Sequence, residues 1–188
     1  MSESADAMRL VWWIPVEFWQ AVFDQEESMP QEQKDDFINI FRQYTLFAIL
    51  DGAIGPFGDV SYAPKDETYK SLILTATNMK QYKALENIEV NDQTKDMISF
   101  MKPVLSQMLG PMGENMHFFF FADVQNPGLP LLEASKKGKF TITLDKEEFY
   151  WELPLSSLVA EKKCPVDGAL MNGTWKYCPY HANELVEQ

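Results

Sequence analysis

Two short stretches place metal-ligating side chains at matched spacing: Cys164-Pro165-Val166-Asp167-Gly168 and Cys178-Pro179-Tyr180-His181-Ala182. Each puts a candidate ligand at i and i+3, with a proline directly after the first. Thiolate, imidazole and carboxylate all bind zinc, at about 2.3 Å for sulfur and roughly 2.0–2.2 Å for nitrogen and oxygen. Cys164, Asp167, Cys178 and His181 are therefore the candidate metal ligands. A tetrahedral site of two thiolates, one imidazole and one carboxylate is the chemistry that they could support. Zinc suits this mixed set better than copper or iron, and other metals stay open.

The two units resemble the zinc ribbon, whose usual form is a pair of Cys-Pro-x-Cys-Gly knuckles joined by a hairpin. The resemblance covers residues 164–185 and implies a structural zinc held between two facing turns, with backbone amides directed at each first thiolate. Asp167 and His181 stand where the family has cysteines, and Ala182 where it has glycine. If that backbone is left-handed, alanine costs about 1 kcal/mol there. Four protein ligands would fill a tetrahedral ion and leave no place for a reactive water. A catalytic role would need Asp167 to be off the metal. Facing knuckles also admit two alternatives, a Cys164 to Cys178 disulfide in an oxidising compartment or a pair of free thiols.

Other constellations have ordinary explanations. Met97, Met101, Met108, Met112 and Met116, followed by His117, could offer thioethers to Cu(I), yet the first three also fit the buried stripe of a helix. His117 adjoins a run of phenylalanines and is read as a hydrogen-bonded strand residue. Asp51, Asp59 and Asp66 flank loops, where aspartate forms turns and carries solvated charge. Cys178 as a nucleophile is unnecessary, because its knuckle accounts for it. The sequence contains no Gly-x-Ser-x-Gly elbow, phosphate-cradling glycine loop, dinucleotide fingerprint or His-Glu-x-x-His. No catalytic or cofactor-binding residue is assigned.

The elements that must carry these residues follow from apolar periodicity. Arg9–Trp13 reads as a strand, and Pro15 opens a helix that gathers Ile14, Phe18, Trp19, Val22 and Phe23 on one face. Ser28 with Gln31 has capping-box spacing ahead of a helix whose stripe is Phe37, Ile40, Phe41 and Tyr44. Strands are expected at Tyr44–Leu50, Val60–Tyr62 and Ser71–Thr77, with a loop over Ala53–Gly58. Asn91 or Asp92 caps a helix with apolar residues Met97, Met101, Val104, Leu105 and Met108, which Gly110-Pro111 stops. Pro103 inside it predicts a kink or break near Met101. His117–Ala122 reads as a central strand, and residues 140–153 as a hairpin with Phe140, Ile142, Leu144, Phe149, Trp151 and Leu153 inward.

These elements predict an α+β fold. Its sheet is mostly antiparallel with helices on one face, and a small zinc-ribbon-like hairpin module follows. The expected division is residues 1–158 and 159–188. A chain of 188 residues can bury a sizeable core without a disulfide framework. Its 16 basic against 28 acidic side chains give −12, with 9 and 20 of these in residues 1–135 and 7 and 8 in residues 136–188. Phosphate contacts depend on clustered Lys and Arg, so nucleic acid is excluded as a partner, and anionic membrane surfaces are disfavoured. No apolar run approaches the roughly 18 residues of a membrane span, so a soluble protein is expected. Residues 1–7 lack a positive start and an apolar stretch. Compartment stays open between the cytoplasm and an exported location reached by loss of a leader. The functional expectation is a non-enzymatic binding or assembly protein with a structural zinc knuckle. Two alternatives remain: a hydrolase or other enzyme with a pocket in the main domain, and a Cu(I)-handling protein that uses the methionines.

Overall fold

The computed structural model describes residues 7–123 and 130–187. They fall into two compact units, one running to Leu132 and resuming at Phe140–Tyr150, the other comprising Glu133–Lys139 and the residues from Trp151. Helices and antiparallel sheets together make an α+β fold with no barrel. No helix among the described residues is long and apolar enough to cross a membrane.

The first unit opens with β1 (Ala7–Ile14), followed by α1 (Val16–Asp24) and α2 (Gln31–Arg42). Each helix begins directly after a proline, Pro15 or Pro30, and neither has a side-chain cap. Proline supplies a fixed entry φ without needing a hydrogen-bond partner. The expected capping box at Ser28 is absent, because the Ser28 hydroxyl is 2.6 Å from the Glu26 carboxylate. Ile38, not Ile40, joins Phe41 in the core, while Val22 is exposed.

β2 (Thr45–Ile54) is the central strand, and it continues into the stretch read as a loop. It pairs with β1 along one side and with β3 (Val60–Tyr62) at its far end on the other. Next come α3 (Lys65–Ser71), β4 (Leu72–Thr75) and β5 (Gln81–Lys83); sequence reading missed α3 and β5. Asn91 then caps α4 (Asp92–Leu109), its side chain accepting from the Thr94 N–H at 2.8 Å. The helix runs without a break through Pro103. Pro103 and Ser99 are both exposed, so water can serve the Ser99 carbonyl that proline leaves without a partner. Gly110, at φ 59°, ends α4, and α5 (Pro111–Glu114) follows.

β6 (His117–Phe121) pairs with β2 from Ile49↔His117 to Thr45↔Phe121. It lies outside β2 and is not the centre of the sheet. Its apolar run instead reflects burial on both faces. On one face, Phe118 and Phe120 pack with Leu46 and Ala48 against Trp19 and Phe23 of α1 and Phe41 of α2. On the other, Phe47 meets Phe121 and Phe140 at ring separations of 5.7 and 6.1 Å. Phe140 belongs to β7 (Gly138–Leu144), which joins β5, β4 and β8 (Glu147–Leu153) in a second sheet of order β5-β4-β7-β8. Full burial of each such ring stabilises by about 1.5–3 kcal/mol.

The second unit is built differently. Beyond the ends of β7 and β8 that it includes, its regular structure among the described residues is a 3-10 turn at Ser156–Leu158 and the paired strands β9 (Lys162–Lys163) and β10 (Leu170–Met171). Its buried cluster comprises Cys164, Met171, Cys178 and Leu185, with Ala169 against it.

Candidate metal centre

The two knuckles fold alike. In the first, Cys164 N–H donates to the Ala169 carbonyl at 2.9 Å and Gly168 N–H to the Cys164 carbonyl at 2.8 Å. In the second, Cys178 N–H donates to Asn183 and Ala182 N–H to Cys178, both at 2.8 Å. Gly168 and Ala182 occupy the same place in their turns and share the left-handed region, at φ 73° and 56°. The first knuckle is the connection of the β9–β10 hairpin. The second is closed by the Tyr177↔Glu184 bridge, and Lys163↔Val186 ties the two together.

This folding brings three of the four predicted ligands together. Donor atoms of Cys164, Cys178 and His181 all lie within 4.8 Å of one another, close enough to hold a metal ion. His181 Nδ1 is 3.4 Å from Cys164 Sγ and 3.6 Å from Cys178 Sγ. Both cysteines are buried free thiols and form no disulfide. Asp167 lies outside this three-donor set. Its Oδ2 is 3.9 Å from His181 Nδ1, while its Oδ1 accepts from the Ala169 N–H at 3.0 Å.

The electrostatics distinguish the two sulfurs. Burial, joined by the Asp167 and Cys178 side chains, pushes the Cys164 thiol up against the Val166 and Asp167 amides that favour its thiolate. Burial also acts on Cys178, yet the Tyr180 and His181 amides and the His181 ring bring its thiol below the ordinary value. The Ala169 N–H holds the Asp167 carboxyl low, and the Cys164 thiol adds to this.

The remaining candidates are dispersed. Met97 and Met101 pack against the first unit's core and Met116 is buried, whereas Met108 is 73% exposed and Val104 also faces water. His117 is half-buried and hydrogen-bonds to the backbone of Ala63. The first unit holds a cavity of about 600 Å³, lined by Lys65, Lys102 and His117 together with Phe118 and Phe119, a set that sequence reading did not assemble. These basic residues come from α3, α4 and β6, and no spacing rule connects them. Comparisons with family models, with characterised proteins and with solved structures give no match to this chain.

Proposed function

We propose that the second unit is a zinc-ribbon-like structural metal module, with zinc held by Cys164, Cys178, His181 and Asp167. On this reading the protein is a non-enzymatic binding or assembly component. The supporting observation is the pair of sulfur to nitrogen distances, 3.4 and 3.6 Å. A tetrahedral zinc with ordinary bond lengths requires about 3.6 Å between a thiolate and an imidazole ligand. A carboxylate oxygen would stand about 3.4 Å from the nitrogen; Asp167, with Oδ2 at 3.9 Å from it and outside the 4.8 Å group of the other three donors, must move inward to complete the set. Two thiolates and an imidazole select zinc over the hard cations, which prefer all-oxygen sites. With four protein ligands the ion has no open position, which makes its role the closing of the knuckles.

Metal analysis of the purified chain tests this. The wild type should carry about one zinc per chain, and Cys178→Ala only a trace. Cobalt substitution should give thiolate charge-transfer and tetrahedral d–d bands in the wild type alone. A wild type with no more zinc than the variant overturns the assignment.

A further inference from the structure

The 600 Å³ cavity of the first unit lies along the outer side of β6, beyond its pairing with β2. Its size is that of small-molecule sites, roughly 300–1,000 Å³. Much of its lining is apolar, from Leu85, Val90, Ile98, Met116, Phe118 and Phe119. Four basic side chains also line it: Lys65, Lys95, Lys102 and His117. Lys95 is committed to Asp92 at 3.0 Å. Among the described residues, neither Lys65 nor Lys102 makes an ion pair. Lys65 Nζ lies over the Phe119 ring, 5.7 Å from its centroid. Of the two carboxylates on the lining, Asp66 is next to Lys65 in sequence, and Glu86 is engaged with Glu89 in a reciprocal cap.

The basic groups oppose one another here. Burial, followed by the nearby Lys102 ammonium, holds the Lys65 amine below the usual lysine range. Burial also lowers His117, and Lys102 and Lys65 add to this. A chain of net charge −12 thus sets the Lys65 and Lys102 ammonium groups together on the lining of a largely apolar pocket, where an anion would relieve their repulsion.

We propose that this cavity is a binding site for a small organic anion, one with an aromatic or aliphatic body and a single carboxylate, sulfonate or phosphate group. The body lies on the Phe118, Phe119 and Ile98 lining, and the charged group is held by Lys65 and Lys102. Charge-assisted hydrogen bonds from two ammonium groups supply orientation, and the apolar lining supplies area. This site is independent of the metal centre.

Two probes separate these contributions in the full chain: 1-anilinonaphthalene-8-sulfonate and uncharged N-phenyl-1-naphthylamine, which lacks the sulfonate. The sulfonate should bind saturably at one site and weaken with added salt. Its affinity should fall about tenfold in Lys102→Gln and further in Lys65→Met/Lys102→Met. N-phenyl-1-naphthylamine should bind both variants and the wild type alike, with unchanged circular dichroism and thermal midpoint. Ser99→Trp, which fills the mouth from α4, should abolish binding of both probes. Absence of saturable sulfonate binding, unchanged affinity in the lysine variants, or sulfonate binding that survives Ser99→Trp would each overturn the proposal.

Discussion

His181 joins the two knuckles, since its Nδ1 is within 3.6 Å of both sulfurs. Asp167 has two tasks, one per oxygen: Oδ1 closes its own turn through Ala169 and Oδ2 faces the imidazole. Asparagine keeps the turn acceptor and removes the charge, while alanine removes both. Asp167→Asn should therefore weaken zinc binding at least roughly tenfold, a loss seen even for outer partners of metal sites. Asp167→Ala, which also removes the turn acceptor, should weaken binding further. Competition against a chromophoric chelator measures both, and equal zinc affinity in all three proteins would remove Asp167 from the ligand set. The grouping of Cys164, Cys178 and His181 was legible because each knuckle is one tight turn of five residues, whereas Asp167 falls outside that group. Lys65, Lys102 and His117 were not legible, because three separate elements bring them together.

At the scale of elements, the two knuckles differ in one backbone position. Gly168 takes its left-handed conformation freely, whereas Ala182 at φ 56° places a Cβ against its carbonyl. Ala182→Gly should stabilise the zinc-loaded second unit by up to about 1 kcal/mol, and Gly168→Ala should destabilise it by a similar amount. Denaturant titration followed through Trp175 would measure both, and the same sign for both would contradict the shared turn geometry. Strands and helices with strong periodicity were legible, including β1, α1 and the hairpin of β7 and β8. α3 escaped because its seven residues carry no apolar stripe; only Thr68 is buried. Its signal was Pro64 followed by Asp66 and Glu67 in the first turn, the proline entry shared with α1 and α2. β6 was correctly read as buried but wrongly placed at the centre. An apolar run reports cover on both faces, and a helix layer and a second sheet provide that without a neighbouring strand on each side.

At the scale of the whole molecule, the two units are stabilised by different means. The first contains the aromatic core, with Phe47 and Phe121 fully buried. The second has a cluster of four buried residues, two of them the candidate sulfur ligands. Units near the roughly 40-residue limit seldom hold together on such a core without a metal or a disulfide. Chelation should therefore abolish amide protection across residues 162–186 and leave residues 45–50 and 117–121 protected, as read by hydrogen exchange. Retained protection in both regions would show that metal does not hold the second unit. Sequence composition suggested a change of character after residue 158, while the second unit takes in the chain from Trp151. Composition could not reveal that Glu133–Lys139 belongs with the C-terminal residues, because that association arises from non-local contacts. The order of the chain has a consequence for biosynthesis. Tyr150 completes the first unit before Cys164, the first ligand, has been translated. Domains generally fold as units as they are made, the N-terminal one first. On the proposed metal site, ion loading would be a late maturation step, and metal starvation would yield chains with a finished first unit and an open second one.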